Sequence, residues 1–85
     1  MVLAEIQNSP KVIGTKQVKK AINKGIAKKV FIALDAELHI IEPIKELCQQ
    51  NQIEVSMVEN METLGNACGI EVGSAAVALI NTLEP

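Results

Sequence analysis

Seven of the eight basic residues, Lys11, Lys16, Lys19, Lys20, Lys24, Lys28 and Lys29, fall within 19 consecutive positions. No aspartate or glutamate stands between Glu5 and Asp35, although the whole chain carries a net charge of -2. The centre of this run is the stretch IGTKQVKKAINKG, residues 13–25. Ammonium groups at this density on an acidic body make a local field that holds a polyanion while the remaining surface repels it. Lys16, Lys20 and Lys24 recur every fourth residue, which puts them on one face of a helix with Gln17 beside them. A solvated helix face kept soluble by lysine has the same composition, and composition weighs the two equally.

The start of the stretch adds a different chemistry. Gly14 suits a turn, and Thr15 is placed to N-cap a helix from about Lys16 to Lys24. Such a start offers a phosphate free backbone N–H groups and the positive end of the helix dipole. Gly14 lets another backbone come close. Lys16, Gln17 and Lys20 then project from the first turn and a half. Lysine donates to guanine O6 and N7, and glutamine both donates and accepts on a base edge. A later stretch, GIEVGSA, sets Ile70, Glu71 and Val72 in a loop after a helix stop. Its aliphatics either tuck under the sheet, the placement the residues alone favour, or stay exposed to pack against an unstacked base.

Other chemistries find little support. There is no G-x-S-x-G, Walker loop or H-E-x-x-H pattern. His39 is the only histidine, and its acidic neighbours Glu37 and Glu42 are ordinary helix-surface residues. Cys48 and Cys68 fall on apolar helix faces, where a thiol is deactivated, and neither has a Cys or His partner at ligand spacing. No metal, cofactor or enzymatic activity is expected. Phe31 is the only aromatic residue and there is no arginine, so gripping single strands by stacking is not expected. Recognition of a folded, distorted duplex by shape, phosphate contact and a few base edges stays open.

The elements that must position these residues alternate. VLAEIQN is a short helix with apolar Leu3 and Ile6, stopped by Asn8, Ser9 and Pro10. KVI is a brief strand, and the lysine helix follows, with Val18, Ala21 and Ile22 as its buried stripe and Gly25 at its end. KVFIALD reads as a central strand buried on both faces. The next helix starts at Pro43 after a looser turn, since proline suits only a first turn, and Ile44, Leu47 and Cys48 face inward. IEVSMVE is a strand. Asn60 caps METLGNAC, whose Leu64, Ala67 and Cys68 point inward, and Gly69 ends it. A last strand runs from Ala75 to Ile80. Alternation of this kind predicts an α/β fold, a three-layer α/β/α sandwich around a mixed four-stranded sheet, as one domain over residues 1–85. No apolar run approaches the roughly 20 residues needed to span a bilayer, and the N-terminus lacks signal-peptide features, so a cytoplasmic chain is expected.

IGTKQVKKAINKG, then AKKVFIALDAE, LCQQNQIEVSMV and LGNACGIEVGSAAVALI, together resemble the ribosomal protein L7Ae/L30e family over residues 8–82. The Gly-Thr helix start and the LG-x-A-C/A-G segment are the most specific pieces. The resemblance implies an α/β/α sandwich that binds kink-turn RNA, a sharply bent duplex with tandem sheared G·A pairs and an unpaired bulge. It implies that Gly14 and Thr15 approach the kinked backbone, that Lys16 and Gln17 read the sheared guanines, and that Lys20 acts one turn on; by helix spacing, Lys24 continues the same lysine row as a candidate RNA contact. Glu37 matches an acidic position near the bulged nucleotide, and Ile70, Glu71 and Val72 match an apolar loop over the bulge. Archaeal and eukaryotic members carry Asn-Glu where this chain has Lys16-Gln17, a variant that resembles the bacterial branch. Lys16 adds attraction for phosphate or O6, and Gln17 lacks the carboxylate that accepts from guanine N1 and N2.

The expectation is therefore an RNA-binding, non-enzymatic monomer. Its partner is a kink-turn or similar bent duplex in ribosomal or riboswitch RNA, with no DNA or membrane partner. The alternatives are a protein-interaction or ribosome-docking module using the IEVGSAA face, and a truncated RNA-guiding domain of a modification enzyme, against which the length of 85 residues counts.

Overall fold

The computed structural model describes residues 2–81. Its elements are α1 (Val2–Gln7), β1 (Lys11–Ile13), α2 (Thr15–Lys24), β2 (Ala27–Ala33), α3 (Leu38–Gln50), β3 (Glu54–Val58), α4 (Met61–Ala67) and β4 (Ala76–Ile80). The sheet is mixed, in the order β1-β4-β2-β3. β4 is antiparallel to both its neighbours, and β2 pairs with β3 in parallel through the α3 crossover. α2 packs against α3, and α1 packs against α4. The alternation in the sequence thus becomes two helical layers on a four-stranded sheet, the α/β fold expected.

β2 is the hydrophobic axis. Val30, Phe31, Ile32 and Ala33 are all fully buried, as a strand covered on both faces must be. Phe31 pairs with Val77 on one side and Ser56 on the other. Ile6, Ile22, Ile32, Ile44 and Leu64 complete a core with aliphatic chains from every helix. Burial of each such side chain stabilises by about 1.5–3 kcal/mol before entropy is counted. Ile6 anchors α1; the side chain of Leu3, expected beside it, lies outside the described residues.

Several local expectations hold. Val18, Ala21 and Ile22 form the buried stripe of α2. At Gly25 the helix closes with N–H bonds from Gly25 to the Ile22 carbonyl and from Ile26 to that of Ala21. Asn60 caps α4, its Oδ1 accepting the Thr63 N–H at 2.7 Å. β4 begins at Ala76, one residue later than expected.

The start of α3 differs from the expectation. The helix begins at Leu38, and Pro43 lies inside it. Proline removes one intrahelical bond, the one to the carbonyl of His39, an exposed residue. Ile40, Ile41 and Ile44 form one inward stripe across that point, so packing holds the first turn in place where local propensity would end it.

Candidate nucleic-acid interface

β1 delivers the chain to Gly14, whose N–H donates to the Ala76 carbonyl at 2.9 Å. Gly14 has φ 102° and ψ 151°, a backbone that glycine adopts without strain. This residue is the N-cap of α2, because its carbonyl accepts the first intrahelical bond from the Val18 N–H at 2.9 Å. Thr15, expected as the cap, is the first helical residue, and no side chain caps the helix. The reversal out of β1 uses the positive φ of Gly14, which moves the boundary by one position.

The N–H groups of Thr15, Lys16 and Gln17 consequently have no intrahelical acceptor. The first turn holds no acid, and Lys16 puts a cation at the positive end of the dipole. Each choice weakens the isolated helix, glycine in place of a capping side chain by about a few tenths of a kcal/mol and the cation by about 0.3–1 kcal/mol. An anion seated on the tip would relieve both. Thr15 is half-buried, while Lys16, Gln17, Lys20 and Lys24 are exposed. Among the described residues, none of these three lysines forms an ion pair.

Two members of the basic run are occupied elsewhere. Lys29 Nζ bonds Glu5 Oε1 at 3.1 Å, lies 3.7 Å from Glu54 Oε2, and sits 5.1 Å from the Phe31 ring centroid. The hydrogen bond to Glu5 holds its pKa above the ordinary 10.5. Lys11 Nζ donates to the Ser9 carbonyl at 3.3 Å. The cationic surface is therefore narrower than the sequence run and is concentrated on α2.

Strand direction assembles the rest. β1, β2 and β3 end, and β4 begins, at the same edge of the sheet. Gly14, the turn of residues 34–37, the start of α4 and the segment entering β4 all emerge there. Glu37 is the exposed N-cap of α3, its Oε1 3.3 Å from His39 Nε2. In the same turn, Asp35 Oδ1 accepts the Met61 N–H at 2.8 Å.

The loop of residues 69–75 lies with its backbone against α4. A β-carbon on Gly65 would overlap the Val72 carbonyl oxygen, and one on Gly73 would meet Met61 Cβ at 3.0 Å. The Ser74 N–H donates to the Met61 carbonyl at 3.1 Å. This divides the loop residues. Ile70 is half-buried, Glu71 is exposed, and Val72 is 70% exposed. Val72 thus corrects the tucked placement: backbone, and not side chain, faces the helix. Leu34 and Leu38, at the same end, are also exposed.

The sequence assigns no part in the site to Asp35 or Ser74, and Gly65 enters it only within the LG-x-A-C/A-G segment. Gly65 had a signal, a glycine inside a helical pattern. Asp35 had none, since its partner is 26 residues away.

Other sites are not built. Among the described residues no His, Cys, Asp and Glu converge as a metal site. Cys48 is buried and Cys68 half-buried; burial pushes both thiols above the ordinary 9.0. An open depression of about 480 Å³ on α3 is lined by Glu42, Lys45, Glu46 and Gln49, all on one helical face, and is the gap between long solvated chains. No described helix is long and apolar enough to cross a membrane.

The chain is thus an α/β/α sandwich with a glycine-started basic helix and the loop of residues 69–75 at one end of its sheet. Residues 2–84 match the model of the ribosomal protein L7Ae/L30e/S12e/Gadd45 family, and the chain belongs to that family. It is 45% identical over 69 residues to the RNA-binding protein YbxF of Geobacillus stearothermophilus, covering 81% of this chain and 84% of that one. It is 46% identical over 68 residues to the large ribosomal subunit protein eL8 of Halobacterium salinarum, covering 79% of this chain and 57% of the relative. The Giardia lamblia 15.5kD RNA binding protein shares the fold at a TM-score of 0.89 and 21% identity, over 94% of this chain and 71% of that one. The non-enzymatic reading of the sequence stands with this family.

Proposed function

We propose that the chain is a cytoplasmic, ribosome-associated RNA-binding protein that recognises kink-turn or similarly bent duplex RNA. The N-terminus of α2 takes the kinked backbone at Gly14 and Thr15, Lys16 and Gln17 meet the sheared G·A pairs, and Lys20 and Lys24 hold phosphates. Ile70, Glu71 and Val72, with Glu37 opposite, receive the bulged nucleotide. The observation that carries this reading is the tip of α2 without a side-chain cap, its lysines unpaired among the described residues, at the same sheet edge as exposed Val72. The names of the relatives support the RNA.

The test is a titration of a bulged duplex with tandem G·A pairs against a plain duplex of equal length, across a salt series. With about three to five lysines on phosphates, log K falls against log salt with a slope of roughly -3 to -5. Equal binding of the two duplexes rejects the proposal. A second reading, protein docking through the same end, is favoured by the exposed Leu34, Leu38 and Val72. Binding that ignores salt and survives Lys16→Glu with Lys20→Glu selects it.

A further inference from the structure

We propose that Ser74 is a positioning residue, fastening the Val72 loop to the anchor of the α2 tip so that both present one surface to RNA. The inference rests on the RNA-binding reading above. Ser74 is a buried polar residue at the foot of the loop. Its Oγ donates to the Ala76 carbonyl at 2.9 Å, and that same oxygen accepts the Gly14 N–H at 2.9 Å. A carbonyl oxygen has two lone pairs, and here one serves each half of the interface.

The connection extends further. Through its own N–H, Ser74 bonds the Met61 carbonyl, and the Met61 N–H bonds Asp35 Oδ1. Asp35, Met61, Ser74, Ala76 and Gly14 thus form one hydrogen-bonded chain across four segments. At its ends stand the turn bearing Glu37 and the helix bearing Lys16 and Gln17. At its middle stands the loop bearing Val72. Phosphate contact needs only the lysines. Simultaneous contact with a bulged nucleotide needs the loop at a fixed distance from them, and the Ser74 hydroxyl sets the exit angle of the loop at the atom that anchors Gly14.

A hydroxyl that merely satisfied itself in the core would predict something else. Ser74→Ala leaves the Ala76 oxygen bonded to Gly14, so no buried acceptor is orphaned and the fold is retained. The expected result is a loss of about three- to tenfold in affinity for the bulged, bent duplex, the scale of one hydrogen bond. Affinity for a plain duplex and the salt slope stay unchanged, and Ser74→Thr, which keeps the hydroxyl, restores binding. Hydrogen exchange on the free protein is the RNA-independent arm. In Ser74→Ala, exchange at the amide of residue 74 and at residues 70–73 speeds up about fivefold or more while Gly14 stays protected. Wild-type affinity for the bulged duplex with unaltered exchange overturns the proposal, as does failure of Ser74→Thr to restore binding. Should wild-type protein itself fail to prefer the bent duplex, the RNA reading falls; the exchange arm then decides alone whether Ser74 fastens the loop.

Discussion

Gly65, inside α4, lies directly against the carbonyl oxygen of Val72, with no space between them for a side chain. The Gly73 Cα stands only 3.1 Å from where a β-carbon would be. Both neighbours are backbone, so neither can swing away. The loop is thereby pressed onto the helix while the Val72 side chain faces solvent. Gly65→Ala gains about 1 kcal/mol in helix propensity but incurs an overpacking cost of about 1–3 kcal/mol. The expected outcome is a protein no more stable than wild type, with the loop lifted. A raised thermal midpoint together with unchanged exchange at residues 70–73 would contradict this packing.

Lysines of the same run are expected to behave oppositely. Lys16, Lys20 and Lys24 are exposed on α2, whereas Lys29 is clasped between Glu5 and Glu54 over Phe31. Replacing Lys20 by alanine should weaken RNA binding and reduce the magnitude of the salt slope by about 1. Lys29→Ala should leave the slope alone and loosen α1, seen as faster exchange or proteolysis near residues 2–7. A salt titration of both variants separates the roles, and an equal change in slope would show that Lys29 also reaches the RNA.

Much of this architecture was legible because periodicity is local. The apolar runs of β2 and α2 and the cap at Asn60 announce themselves within a few residues. What stayed hidden depends on partners distant in sequence. The order β1-β4-β2-β3 brings Gly14, Asp35, Met61 and Ser74 to one edge, and no periodicity encodes that order. Pro43 misled because tertiary burial of Ile40, Ile41 and Ile44 outweighs one lost backbone bond. Thr15 misled because a good capping residue beside a glycine yields the cap to whichever residue makes the turn. The lysine run overstated the cationic surface, since β2 carries Lys29 to the acids of α1 and β3.

Gly14 sits at φ 102° with open space around its missing β-carbon. Gly14→Ala therefore meets backbone strain without a clash, at a cost of about 1–3 kcal/mol. The variant should either fold less stably or relax the turn, tilting the tip of α2 away from Ala76. Denaturant unfolding gives the first, and loss of protection at the amide of residue 14 gives the second. Wild-type stability with that amide still protected would mean that the positive φ is not required.

Among the described residues, the alkaline limb of stability follows from three groups whose pKa is raised in the folded chain. Burial raises Cys48 and Cys68 above 9.0, and the bond to Glu5 leads the causes that raise Lys29 above 10.5. In each case the folded state holds its proton more tightly than the unfolded state does, so stability falls as pH rises between the two values. The contribution of the thiols is whole below pH 9.0 and is lost as pH climbs through their folded values. That of Lys29 persists to 10.5 and is lost above it. Urea midpoints measured from neutral pH upward should hold steady and then decline in two stages. Lys29→Met keeps the aliphatic stem over Phe31 and removes the titrating ammonium, so it should abolish the later stage and spare the earlier one. A Lys29→Met curve parallel to wild type above pH 10.5 would show that the Glu5 clasp does not contribute to the fold.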